Sequence, residues 1–206
     1  GKGRRRVHIA ETRHADGGPV ERAAADKETL AACRAGDRLA LERLLTPHER
    51  PLYTLCLGIL RSPEDAEDAV QEAFLRALKG LSAFRGDAAV RTWLQRIAVN
   101  VCLEWKRSRK AVVPLDCMES MPAADPPVED TALDRVLALE ALGTLKPQQR
   151  AAILLKDVEG WSVAEVAEAM KWSPKKAENE LYRARLALGC WRDRRREARE
   201  SCDDER

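Results

Sequence analysis

The stretch AVVPLDCMESMPAADPPVEDTALD, residues 111–134, holds six acidic residues and four prolines and has no Lys or Arg. Proline removes backbone donors and blocks helix continuation. A run of like charges with few large apolar side chains cannot bury enough surface to offset the entropy of ordering it. The stretch therefore reads as an extended acidic tether, and it divides the chain into two helical blocks. In a chain of 206 residues each block is small and able to bury only a modest core.

The first block opens with LERLLTPHERPLYTLCLGIL, apolar at helical spacing but interrupted by Pro47 and Pro51. Ser62-Pro63-Glu64-Asp65 then supplies an N-cap, a proline at the first helical position and acids in the first turn. The helix that follows sets Ala66, Val70, Ala73, Phe74, Ala77 and Leu78 on one face and stops near Gly80. Its opposite face is anionic, with Glu64, Asp65, Glu67, Asp68 and Glu72. Beyond the loop LSAFRGD, the residues Val90, Trp93, Leu94, Ile97, Ala98 and Val101 step by three and four, as in an amphipathic helix. The C-terminal half of this helix turns basic: Arg91, Arg96, Lys106, Arg107, Arg109 and Lys110 stand against the single acid Glu104.

In the second block, LDRVLALEALGTL ends before Lys146-Pro147, and PQQRAAILLKDVEG stops at Gly160. WSVAEVAEAM opens with Ser162 and Glu165 in capping-box spacing. After a break at Lys171-Trp172, Ser173-Pro174 starts another helix. Two short helices joined by a tight turn, the second ending in Arg-rich sequence, have the form of a helix-turn-helix. At about 100° per residue, SPKKAENELYRAR gathers Ala177, Leu181, Ala184 and, beyond it, Leu188 on one core stripe. Lys175, Asn179 and Tyr182 lie opposite, with Lys176 and Arg183 beside them. Glu178 and Glu180 fall on the flanks, where Lys175, Lys176 and Arg183 are at pairing distance along the helix.

No strand pattern occurs, so the expected fold is all-α: two small helical domains joined by a flexible acidic linker. The expected boundaries are a flexible leader over 1–26, a first domain over 27–110, a linker over 111–130, a second domain over 131–192 and a charged tail over 193–206 whose SCDDER end frays. The net charge of +2 says little about partners, because the signs are segregated along the chain. No window approaches 18 uninterrupted apolar residues, and the N-terminal stretch lacks an apolar export core, so a cytoplasmic protein without membrane insertion is expected. The six cysteines form no C-x-x-C pair and the three histidines stand apart from them, so neither a metal nor another cofactor is expected. Cys56 and Cys102 read as small buried hydrophobes. With no phosphate loop, H-E-x-x-H or G-x-S-x-G, the chain is not expected to be an enzyme.

SPEDAEDAVQEAFLRAL and FRGDAAVRTWLQRIAVNVCLEWKRSRK resemble region 2 of the extracytoplasmic-function (ECF) sigma factors of bacterial RNA polymerase. TLKPQQRAAILLKDVEGWSVAEVAEAMKWSP with LYRARLAL is similar to their region 4, and the likeness spans roughly residues 28 to 190 with the tether between. The resemblance implies a transcription initiation factor that binds core RNA polymerase, recognises a promoter through two helical domains and helps melt the minus-ten element. It places core-polymerase binding on Asp65, Glu67, Asp68, Gln71 and Glu72. For single-stranded minus-ten DNA it implies Phe84, Arg85, Asp87 and Asn100 as the base pocket, with Arg91, Arg96, Lys106, Arg107 and Arg109 on the backbone. Trp93, on the buried stripe, reads as core.

For the double-stranded minus-thirty-five element the resemblance points to Lys175, Lys176, Glu178, Asn179, Tyr182, Arg183 and Arg185. An anti-sigma factor is a further expected partner. The family usually sets cations where this chain has Glu178 and Glu180, and three accounts stay open. A glutamate reads cytosine by accepting from its amine while the neighbouring cations hold phosphates; or this domain binds DNA weakly; or the helix is a protein-binding surface. The last would make the chain a sigma-like interaction module with weak or no promoter binding.

Overall fold

The computed structural model describes residues 29–84, 86, 88–112 and 130–204. Arg85, Asp87, the leader, most of the tether and the last two residues lie outside them. The described residues form helices and short connections, with no strand among them. A first helix, α1, is described over 29–34. It is followed by α2 (Arg38–Leu60), α3 (Pro63–Gly80) and α4 (Val90–Val112), which pack pairwise into a three-helix unit. The second unit is α5 (Asp130–Gly143), α6 (Pro147–Ile153) running into a π-helical turn (Leu154–Val158), α7 (Val163–Met170) and α8 (Pro174–Asp204). There α8 lies across α6 and α7.

The caps are where the sequence sets them. The Asp65 N–H donates to Ser62 Oγ at 3.2 Å, starting α3. Ser162 and Glu165 form both bonds of a capping box: the Glu165 N–H donates to Ser162 Oγ at 3.2 Å, and the Ser162 N–H to Glu165 Oε2 at 2.7 Å. Lys171 closes α7 in the left-handed conformation, φ 54°, and Gly160 takes φ 77° after the π-helical turn. Cys56 and Cys102 are fully buried, and a hydrogen bond between their thiols, with burial, pushes the Cys102 thiol up and keeps it protonated.

Three features differ from the sequence reading. Pro47 and Pro51 do not interrupt α2, which is continuous from Arg38 to Leu60. The two are four residues apart, so the carbonyl deprived by Pro51 is that of Pro47 itself, and the one deprived by Pro47 is that of Arg43. Arg43 and Pro47 are exposed, so both breaks in the ladder share the solvent side, while Leu44, Leu52 and Leu55 keep the opposite side buried. Leu78, expected on the buried face of α3, is 40% exposed and follows Leu75, 52% exposed, along the outer side. The helix α8 is described as continuous to Asp204, into the stretch expected to fray, since nothing between Gly189 and Asp204 breaks a helix and Arg196 pairs with Glu200 one turn on.

The hydrophobic core is contiguous through both units. Gly58 lies at this junction: a Cβ there would stand 2.7 Å from Leu154 Cδ1, so the leucine of the π-helical turn packs directly over the bare backbone of α2.

Candidate functional site

Charged side chains on α3 divide into those held by the fold and those left outward. Asp65 is held: Arg109 of α4 donates from Nη1 and Nη2 to its two carboxylate oxygens at 2.5 and 2.6 Å, leaving the Asp65 side chain 14% exposed. The hydrogen-bonded Arg109 guanidinium keeps the Asp65 carboxyl below its usual range, outweighing the opposing effect of burial. Glu72 is bound by Arg76 at 2.7 Å, and Arg76 reaches on to Glu104 at 2.6 Å. The exposed row is Glu64, Glu67, Asp68 and Gln71, continued by Leu75 and Leu78. Beside it runs an open groove of about 510 Å³ lined by Glu49, Arg50, Tyr53, Glu67, Gln71 and Phe74, among others.

The Asp65–Arg109 pair makes a pH-dependent contribution to stability. A carboxyl that titrates lower in the fold stabilises it fully above the ordinary carboxylate value of ~4, and the contribution is lost as pH falls through the depressed native value. Asp65→Asn is expected to cost on the order of 1 kcal/mol near neutral pH and much less in acid. Urea melts at the two conditions check this, and an equal loss at both would reject it.

The face of α4 is only partly open. Asn100 and Arg107 are exposed, and Lys106 is half-buried. Arg107 Nε donates to the Leu103 carbonyl at 3.2 Å. Arg91 and Arg96 are met by the second unit. Arg91 Nη2 lies 2.6 Å from Glu159 Oε2, and Arg96 grips both oxygens of Glu168 at 2.9 and 3.0 Å. Phe84 is buried and stacks on Trp93, with ring centroids 4.4 Å apart and planes 17° from parallel. The backbone carbonyls of Phe84 and Leu81 accept from the Arg34 guanidinium, which ties α1 to the turn after α3.

On α8 the core stripe is as the geometry requires: Ala177, Leu181 and Ala184 are buried and Leu188 is half-buried. Lys175, Asn179, Tyr182 and Arg183 are exposed on the opposite side, Tyr182 to 68%. The two glutamates have different surroundings. Glu178 points out, 59% exposed, with Lys175 3.8 Å away. Glu180 is 19% exposed and turns inward, accepting from Gln149 Nε2 at 2.9 Å and from Arg183 Nη1 at 3.1 Å. Lys176 does not pair with it as its spacing suggested, and sits instead over the Trp172 ring at 5.3 Å. Arg185 is committed to Asp157 through two bonds of 2.6 and 3.1 Å.

Sequence reasoning missed Arg34, Gln95, Glu159, Trp161 and Glu168. Their partners are 47 to 72 positions away, and periodicity carries no signal at that range. Among the described residues no group of three or more His, Cys, Asp or Glu is placed to hold a metal ion, and no helix is long and apolar enough to cross a membrane.

Comparison with known proteins matches two family models in chain order: sigma-70 region 2 over residues 44–112 and sigma-70 region 4 over 135–188. The ECF RNA polymerase sigma factor SigM of Mycobacterium tuberculosis (strain H37Rv) is 39% identical over 173 residues, covering 84% of this chain and 86% of that protein. SigG of the same strain, also an ECF RNA polymerase sigma factor, is 36% identical over 170 residues, with 69% and 46% covered. Among solved structures, CnrH in complex with the cytosolic domain of CnrY superposes with a TM-score of 0.61 at 27% identity, covering 82% of this chain and 97% of that one.

Proposed function

The chain belongs to the ECF sigma factors of the sigma-70 family, and from that membership we propose that it directs core RNA polymerase to a promoter and opens the minus-ten element. A role in transcription initiation follows from the family. The observation that carries it is the exposed row Glu64, Glu67, Asp68 and Gln71 on one unit, set in the same chain as a capped helix-turn-helix whose outward side is Lys175, Asn179, Tyr182 and Arg183.

In this reading α3 docks on a basic surface of core polymerase, where complementary charge steers association and fixes its orientation. Asp65 and Glu72 support that face from within, since both are paired inside the first unit. Asn100, with Arg91, Arg96, Lys106 and Arg107, holds the opened minus-ten strand, stacking and phosphate contact together sufficing for single-stranded DNA. Phe84, stacked on Trp93, belongs to the same base pocket in this reading, with Arg85 and Asp87 next to it in the chain. Lys175, Lys176, Asn179, Tyr182 and Arg183 enter the major groove at minus-thirty-five, while Arg185 braces α8 against the π-helical turn. An anti-sigma factor would compete for these surfaces, and the site of action is the cytoplasm, with the polymerase.

Run-off transcription with purified core enzyme on promoters enriched from genomic DNA tests the function. Transcripts that require the chain support it, and their absence across the enriched set would sink it in favour of a sigma-like interaction module. The two glutamates of α8 are separable. Glu178→Arg is expected to leave stability within about 0.5 kcal/mol and to steepen the log–log salt slope of promoter binding by about 0.9, one added phosphate contact. Glu180→Arg is expected to destabilise the second unit by about 1–3 kcal/mol, because Gln149 and Arg183 lose their acceptor. Indistinguishable behaviour of the two variants would contradict their assignment to different faces.

A further inference from the structure

The helix α3 ends without the left-handed residue that commonly closes a helix: Leu81, which follows it, keeps φ −61° and ψ −35°, and the chain runs on as a tight turn. Within that turn the N–H groups of Ala83 and Phe84 both donate to the Gly80 carbonyl at 3.1 Å. The carbonyls of Leu81 and Phe84 stand beyond it, at the negative end of the helix, where a cation is favoured. Arg34 of α1 supplies one. Its Nε donates to the Leu81 carbonyl at 3.5 Å and its Nη2 to the Phe84 carbonyl, so one planar guanidinium spans both acceptors.

The Phe84 oxygen belongs to the planar peptide group that joins Phe84 to Arg85, and holding it fixes how the chain leaves Phe84. From the other side the Phe84 ring is held by its stack on Trp93 of α4. The anchor is itself secured. Leu30 and Cys33 of α1 are buried, and just beyond Arg34 the Asp37 carboxylate accepts from the Leu39 and Ala40 N–H groups at 2.9 and 3.2 Å to start α2. Arg34 is exposed, so burial does not account for its position, and it lies outside residues 44–112, which match sigma-70 region 2.

We propose that Arg34 is a positioning residue for the minus-ten pocket: from α1 it holds the backbone at Phe84 and thereby sets the base preference of a site it does not touch. The inference rests on the reading of Phe84, Arg85, Asp87 and Asn100 as that pocket. A pocket that discriminates bases by shape and hydrogen bonding needs its walls held by neighbouring groups, and loss of a holding group relaxes selectivity before it abolishes binding. Trp93 holds the ring and Arg34 holds the peptide, so the two restrain different degrees of freedom of one residue.

The test uses the full chain with core enzyme on templates randomised at the minus-ten and minus-thirty-five elements, transcripts being sequenced. Arg34→Met keeps the length of the side chain and removes its donors. It is expected to lower discrimination between preferred and disfavoured minus-ten bases about fivefold, the worth of one hydrogen bond, with the minus-thirty-five preference unchanged. Arg34→Lys, which keeps donors at the same reach, is expected to recover most of that loss. In the free chain, hydrogen exchange at the Ala83 and Phe84 amides should quicken in the methionine variant and return towards the parent rate in the lysine one. Circular dichroism checks that each variant is helical, and Arg34→Ala repeats the test should the methionine variant not fold.

A uniform fall in transcription with discrimination intact, or a lysine variant no better than methionine, would overturn the positioning role. Asn100→Ala separates this from the underlying reading. If it relaxes minus-ten discrimination while Arg34→Met does not, the pocket stands and Arg34 has no part in it; if neither does, the pocket falls and the positioning role with it.

Discussion

Trp161→Ala is expected to lower stability by about 3–5 kcal/mol, the largest effect of any single substitution considered for this chain. The indole is 5% exposed and follows Gly160, whose positive φ turns the backbone inward. The backbone N–H of Trp161 donates to the Leu155 carbonyl at 3.0 Å. Truncation leaves a cavity the size of an indole in a core that runs through both units, strips Gln95 Oε1 of its donor and removes the ring beneath Arg96. An unpaired buried amide oxygen adds about 1–3 kcal/mol to whatever the cavity costs. Trp161→Phe separates the contributions, retaining most of the volume while losing the hydrogen bond, and is expected to cost about 1–2 kcal/mol. Urea denaturation followed by circular dichroism measures both. A loss below about 1 kcal/mol for the alanine variant would mean that the indole is not part of the core.

The second large effect is functional. Glu67→Lys with Asp68→Lys is expected to weaken association with core polymerase more than tenfold, because like charges placed against a basic partner cost several kcal/mol. The fold should barely notice, with stability within about 0.5 kcal/mol of the parent, since both side chains are exposed. Titration of core enzyme in the run-off assay reads the effect as a shift in the concentration needed for half-maximal transcription. Unchanged core binding would remove α3 from the docking surface. Asp65→Asn provides the contrast: it lies on the same helix, yet its carboxylate is held by Arg109, so its principal effect is on stability.

The comparison between these acids shows what the sequence could and could not carry. Helix positions, the Ser62 and Ser162 caps, the glycine stop at Gly160 and the inward stripe of α8 are local, and their signals lie within a few residues. Leu78 was misjudged because helical spacing defines a stripe but not its width, and α3 buries a narrow one dominated by alanines at 66, 69, 73 and 77. Pro47 and Pro51 misled in the other direction: each disfavours a helix alone, but at a spacing of four they share one solvent side. Among the candidate site residues, charge sign was legible and charge commitment was not. Asp65, Arg109 and Arg185 carry suitable charges for partners, but each is bound to a residue 28 or 44 positions away. Glu180 was an anomaly in sequence because its partner Gln149 begins a different helix.

The length of α8 bears on how the two promoter elements are spaced. At 1.5 Å per residue its 31 residues form a rod of about 46 Å. About two thirds of the way along the rod, Arg195 is fastened to Glu140 on α5 at 2.6 Å. The pair couples α8, whose first turns carry the proposed groove contacts, to α5. A tilt at one end of α8 is thereby passed to the last turn of α5, where Glu140 stands. On the proposed function, lengthening or shortening the segment 113–129 is expected to change the promoter spacer preferred in run-off transcription while leaving the sequence preference unchanged.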